Sequence, residues 1–335
     1  LLDFDIRWLW PSAQAEGALC SCPVTAEALT GALHALAQQG IEPFGVYVTS
    51  PDYLGGVQDI PAMAAVCRAQ GVPLLVDNAH GAYLRFLPQN CHPIAQGAAM
   101  CCDSAHKTLP VVTGGAYLHL AHDAPVQDEA AVRGALALFG STSPSYLILQ
   151  SLDACNAVLA GDYPRRLAQC CAALEGLRRS LNKAAAARQC PLPLAVAGAQ
   201  QEPMKLTLDA AALGCTGTAL AESLRRAQME CEYADPRYVV LMFTPENPPQ
   251  DYTRLQTALE QLLAAVPAGL PRPENRAGEF AALQQQAVQR CTIRQAVLGA
   301  QVRIPVHKAL GRVCAMPTVS CPPAIPVAVS GEEIT

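Results

Sequence analysis

A chain of 335 residues has the length of roughly two domains. With 51% hydrophobic and 15% charged residues it is too apolar and too weakly charged for a disordered polymer, and a formal net charge of −5 lacks the basic footprint of a nucleic-acid binder. No apolar run approaches the ~18 residues of a membrane-spanning helix, and no polybasic tract marks attachment to a membrane surface.

In chain order, residues 25–39 (TAEALTGALHALAQQ) read as an Ala/Leu-rich helix opened by a Thr25 cap and stopped by Gly40. A strand is predicted at 44–49 (FGVYVT), followed by a Ser-Pro-Asp-Tyr turn and the pair Gly55 and Gly56. A helix at 60–70 ends at Gly71, and a strand at 73–76 runs into Asp77. Residues 97–102 then lead to Lys107 and to the apolar stretch 115–120. Strands separated by helices predict a parallel or mixed sheet, whose ligands sit at the carboxyl ends of the strands. Asp77 and Lys107 both fall near such ends.

A long helical run is expected at 145–183, interrupted at 161–164. Strands at 204–208 and 238–243, with helices at 218–228 and 253–265, predict a small α/β domain. Proline-rich 267–273 marks a boundary, and the remainder holds a helix and the segment CPPAIP. The opening LLDFDIRWLWP begins as though inside an element, and the chain stops at GEEIT, so the sequence reads as a piece of a longer polypeptide. Fifteen cysteines fall below the ~8–10% of a disulfide scaffold. They form no Cys-x-x-Cys and no Cys/His set at zinc spacing. Reduced thiols in a cytoplasmic protein without a metal site are expected.

Two segments carry chemistry. PLLVDNAHGAY (73–83) is an apolar strand delivering Asp77 and then His80; CCDSAHKTLPVVTGGAYLHL (101–120) places Ser104, His106 and Lys107 before a Gly-Gly. Asp77 and Lys107 stand thirty residues apart. Pyridoxal phosphate needs a lysine for its aldehyde, a carboxylate for its pyridine nitrogen, donors for its phosphate and a flat group over its ring. These residues supply those types in order. Taken singly, each has an ordinary role: a solvated lysine, an Asp77 helix cap, a surface histidine, a turn serine. The signal lies in the combination.

The same segments resemble those of the ornithine/lysine/arginine decarboxylase family. So do VTSPDYLGG (48–56), STSPSYLILQSLD (141–153) and GRVCAMPTVSCPPAIPVAVSGEEIT (311–335), although Cys321 and Ala324 stand where Tyr and Gly are common in the family. The resemblance implies the α/β fold of type-I pyridoxal-phosphate enzymes: a three-layer α/β/α large domain with a mainly parallel sheet, a small α/β domain and the start of a C-terminal domain. The expected divisions are 1–183, 184–270 and 271–335. Lys107 would be the Schiff-base lysine, Asp77 the partner of the pyridine nitrogen and His80 a neighbour of the cofactor. Ser104 and His106 would meet the phosphate or the substrate carboxylate. Ser141, Thr142 and Ser143 would line a dimer interface near the neighbouring subunit's cofactor. The family's phosphate-binding loop and ring-stacking His would precede Leu1.

The implied activity is decarboxylation of arginine, lysine or ornithine to an amine of the polyamine class, by a homodimer or larger homo-oligomer. A carboxylate for the basic side chain is expected, with Glu232 and Asp235 as candidates. The Asp/Lys pair alone also fits an aminotransferase or another type-I enzyme, and a truncated, inactive relative is a third alternative.

Overall fold

The computed structural model describes residues 4–11, 20–21, 23–141, 143–198, 200–267, 288–317, 326 and 328–335. The chain divides into two compact units, Thr25–Pro273 and a second formed by Leu1–Val24 with Glu274–Thr335.

The larger unit opens with helix α1 (Ala26–Gln38), whose Thr25 cap accepts a hydrogen bond from the Ala28 N–H at 3.2 Å. Strand β1 (Val46–Thr49), helix α2 (Ile60–Ala69), strand β2 (Leu74–Asp77) and strand β3 (Met100–Asp103) follow. The short helix α3 (Ala105–Thr108) leads into strand β4 (Tyr117–Leu120). The sheet order is β1-β2-β3-β4, with the first three strands parallel and β4 antiparallel. The α2 crossover explains the parallel pair, because parallel neighbours require a long connection.

Alternation along these strands gives the sheet two distinct faces. Val46, Val48, Leu74, Val76 and Cys101 are buried, α2 packs on β2, and α1 packs on α2. Tyr47, Thr49, Asp77 and Cys102 point to the other side and are exposed or half-buried. Register brings Thr49, Asp77 and Cys102 level, so three strand ends finish side by side.

Helices α4 (Glu129–Phe139), α5 (Tyr146–Ala160) and α6 (Tyr163–Ala187) come next. The predicted run at 145–183 is thus two helices, parted at Gly161 and Asp162. Helix α4 had no counterpart among the sequence-based expectations, and none of its side chains is buried. Strand β5 (Lys205–Asp209), helix α7 (Gly217–Arg226), strands β6 (Tyr233–Ala234) and β7 (Tyr238–Met242), and helix α8 (Pro249–Ala265) complete the unit. Its second sheet is antiparallel throughout, in the order β5-β7-β6.

The core of this half is a leucine cluster. Leu167, Leu174 and Leu181 repeat every seven residues along α6 and meet Leu255, Leu259 and Leu263 of α8 above Leu206, Leu208 and Val239. Each fully buried leucine stabilises by about 1.5–3 kcal/mol. Tyr83 and Tyr163 belong to the same cluster, so α6 packs on the segment that follows β2 as well as on the core of the second sheet.

In the second unit, helix α9 (Ile293–Leu298) carries a capping box between Thr292 and Gln295. Bridges Gln289 to Glu332 and Val313 to Glu333 close it, supported by an Arg290–Glu333 ion pair at 2.6 Å. Gly331 has φ +91°, and a Cβ there would collide with the Cys291 carbonyl.

Candidate active site

The site follows from the level strand ends, each of which is succeeded by a polar turn: Ser50 to Tyr53 after β1, Asn78 to His80 after β2, and Ser104 to Lys107 after β3. Asp77 ends β2 with a half-buried carboxylate. Its Oδ2 accepts from the Tyr47 hydroxyl at 3.0 Å, and its Oδ1 accepts from the Ala79 N–H at 3.1 Å. Burial beside Asp77 pushes the Tyr47 hydroxyl well above the ordinary phenol value, which keeps it a donor.

Lys107 lies in α3, one turn past β3, rather than directly after a strand. Its Nζ approaches His80 Nε2 at 3.2 Å. His80 is buried, and burial first, then the charges of Lys205 and Lys107, hold its imidazole down at a pKa of about 2. A neutral imidazole that accepts at Nε2 carries its proton on Nδ1. That Nδ1 is buried and has no hydrogen-bond partner. The donor therefore awaits an acceptor that the described residues do not supply.

Tyr53 forms the adjoining wall. Its ring meets His80 edge-on at 5.0 Å and Tyr233 at 5.3 Å. Its hydroxyl donates to Glu232 Oε1 at 2.6 Å. Beneath it, Lys205 Nζ donates to the carbonyls of Asp52 at 2.8 Å and Tyr53 at 3.2 Å, and lies 5.4 Å from the Tyr53 ring. Burial lowers the Lys205 pKa despite the nearby Glu202, Asp52 and Glu232. Glu202 is buried as well, which raises its pKa, and it accepts from the Tyr83 hydroxyl and from the Met204 N–H.

Of the sequence-predicted site residues, His80 and Lys107 meet directly, while Asp77 ends the neighbouring strand and is held by Tyr47 and the Ala79 N–H. Ser104 caps α3 without a side-chain bond to the helix, and His106 Nδ1 is engaged with the Gly115 carbonyl at 2.9 Å. Ser141 is exposed and bonds only locally, to Ser143, while Thr142 lies outside the described residues. The two carboxylates proposed for a basic side chain part company here. Asp235 is consumed by its own turn, accepting from the Arg237 and Tyr238 N–H groups at 2.7 and 2.6 Å and from the Tyr233 hydroxyl. Glu232 is joined to the site through Tyr53. Sequence reading missed Tyr47, Tyr53, Glu202 and Lys205. Period-two alternation in β1 places Tyr47 on the Asp77 face, a signal that was present in the sequence.

An amine, a carboxylate and a buried imidazole with a spare donor, on adjoining strand ends, fit the requirements of pyridoxal phosphate. Solved structures agree on the scaffold. The constitutive lysine decarboxylase of E. coli superposes with a TM-score of 0.69 at 18% identity, over 98% of this chain and 57% of that one. The lysine decarboxylase LdcF of Francisella novicida gives 0.70 at 17% identity, with coverages of 98% and 57%. The fold is that of the type-I pyridoxal-phosphate-dependent enzymes. A family model described as the major domain of Orn/Lys/Arg decarboxylase matches residues 8–250, and the chain belongs to this family. Arginine decarboxylase from Bacillus subtilis (strain 168) is 28% identical over 298 residues, 87% of this chain and 59% of the relative. The chain thus spans about three fifths of the length of the curated relatives it matches.

Proposed function

We propose that the chain forms the major part of a pyridoxal-phosphate-dependent decarboxylase of a basic amino acid: arginine, lysine or ornithine. The observation that carries the proposal is Lys107 Nζ set against the neutral His80 while Asp77 ends the adjacent strand.

When bound, pyridoxal phosphate supplies an electron sink for the pair left behind as the substrate carboxylate departs. The roles of the protein follow from its geometry. Lys107 Nζ would hold the cofactor aldehyde. Asp77, fixed by the Tyr47 hydroxyl and the Ala79 N–H, keeps a proton on the pyridine nitrogen. His80 would offer its buried Nδ1 proton to the cofactor as a donor. Ser104, His106 and the backbone around α3 contact phosphate or substrate carboxylate. Tyr53 orients Glu232 so that one carboxylate oxygen faces the cationic end of the substrate. The relatives are arginine and lysine decarboxylases, which is consistent with such a cation.

The wider assignment includes domains at 1–183, 184–270 and 271–335, a cytoplasmic setting, a role in polyamine synthesis, and a homodimer or larger homo-oligomer in which Ser141 and Thr142 approach the partner's cofactor. Every described cysteine is a free thiol, and no described helix is long and apolar enough to cross a membrane. Leu138, Phe139, Tyr146 and Leu147 are 70%, 68%, 82% and 73% exposed, an apolar stretch suited to burial against a second copy.

The test is to incubate purified protein and pyridoxal phosphate with arginine, lysine or ornithine labelled at the carboxyl carbon. Labelled carbon dioxide from one of them, lost in Lys107→Ala, is expected. Turnover that requires a keto acid and releases no gas overturns the assignment.

A further inference from the structure

A second cluster of ligating atoms occupies the opposite face of the same strands. Cys101 and Asp103 alternate with Cys102 on β3, so they face away from Asp77, and His119 on β4 pairs in register with Cys101. His92 arrives from the turn that opens the short 3-10 helix Pro93–Gln96. Asp103 Oδ2 lies 3.1 Å from His92 Nε2 and 3.0 Å from His119 Nε2. The Cys101 Sγ lies 3.6 Å from His92 Nε2 and 3.8 Å from Asp103 Oδ1. The two imidazole nitrogens and the carboxylate oxygen all fall within 4.8 Å of one another.

The carboxylate-to-imidazole separations approach the edges of a zinc tetrahedron, for which Zn–N and Zn–O bonds of about 2.0–2.1 Å give ligand-to-ligand edges of about 3.3 Å. Supporting bonds are also in place, because Asp103 Oδ1 accepts from the Asn78 amide at 2.7 Å and leaves Oδ2 directed at the histidines. His92 and Asp103 are 6% and 3% exposed and His119 is 38% exposed, so the set is enclosed but open on the His119 side.

We propose that His92, Asp103 and His119 form a zinc site, ligating through Nε2, Oδ2 and Nε2 with water in the fourth position, and with the Cys101 thiol standing beside His92. Binding makes three bonds to the protein and leaves each imidazole with its ring proton on Nδ1. The metal would clamp β3 to β4 and to the His92 turn. Through Asn78 it would also steady the segment after Asp77. The site is independent of the proposed decarboxylase activity.

The experiment strips the purified full chain with a chelator and titrates it with cobalt and with zinc, each alone. One equivalent of cobalt is expected to give the visible bands of a low-coordinate ion with nitrogen and oxygen ligands. Zinc at a hundredfold excess over its Kd is expected to raise Tm by about 5 °C. Cys101→Ser should bind cobalt with the same bands. His119→Gln, at the half-exposed corner where folding is least at risk, should weaken binding at least tenfold. Failure to take up one equivalent, or unchanged affinity in His119→Gln, overturns the site.

Discussion

Lys107 Nζ stands 3.2 Å from His80 Nε2, a lysine held against an imidazole that stays neutral because it is buried beside two lysines. An unfolded histidine protonates near pH 6.5, whereas the folded one does so only near pH 2. Between those values the unfolded state binds the additional proton, so stability falls as pH falls. The loss should reach roughly 2 kcal/mol by pH 5. Thermal unfolding from pH 7 to pH 5 checks this, and His80→Gln should show a shallower decline than the wild type. Equal slopes would mean that His80 is not the group responsible.

Asp77 should matter for turnover far more than for folding. Its carboxylate is half-buried and held only by Tyr47, the Ala79 N–H and a long contact from the Cys102 thiol. Asp77→Asn keeps the shape but removes the charge proposed to hold a proton on the cofactor nitrogen. Carbon dioxide release should fall on the order of 10²–10⁴-fold, with the circular dichroism spectrum unchanged.

Tyr53→Phe keeps the ring contacts with His80 and Tyr233 and deletes the 2.6 Å bond to Glu232. Hydrogen bonds to charged groups contribute about 1.5–3 kcal/mol, so KM for the basic amino acid should rise about tenfold or more while kcat changes less. An unchanged KM would remove Glu232 from the recognition of the cationic end.

Arg178 has a purely structural task. It is 5% exposed, and its Nη2 donates to the carbonyls of Glu202, Pro203 and Lys205, gathering the chain as it enters β5. Arg178→Ala strands those carbonyls away from water and opens a cavity, which should cost about 3 kcal/mol. Urea denaturation would show this as a lower midpoint with an unchanged slope.

Legibility followed sequence distance. Asp77 and Lys107 were visible because each belongs to a short segment whose strand, turn and polar residue are contiguous. The helix start at Thr25 was visible because capping is local chemistry, whereas the helix expected from 218 begins at Gly217 behind a Thr216 cap that sequence reading did not name. By contrast, Tyr53 meets Glu232 across 179 positions and Tyr83 meets Glu202 across 119, contacts that only the joining of the two sheets creates. His92, Asp103 and His119 follow no metal-binding spacing, since their alignment depends on the antiparallel return of β4. Helix α4 escaped notice for a different reason: its apolar residues are exposed in the folded chain and form no buried stripe.

Strand β3 serves two masters. Cys102 looks toward the Asp77 face, while Cys101 and Asp103 serve the cluster behind it. A one-residue slip in its pairing would exchange the faces, placing Asp103 beside Asp77 and leaving Cys102 with the histidines, so the same strand register sets both proposed sites at once.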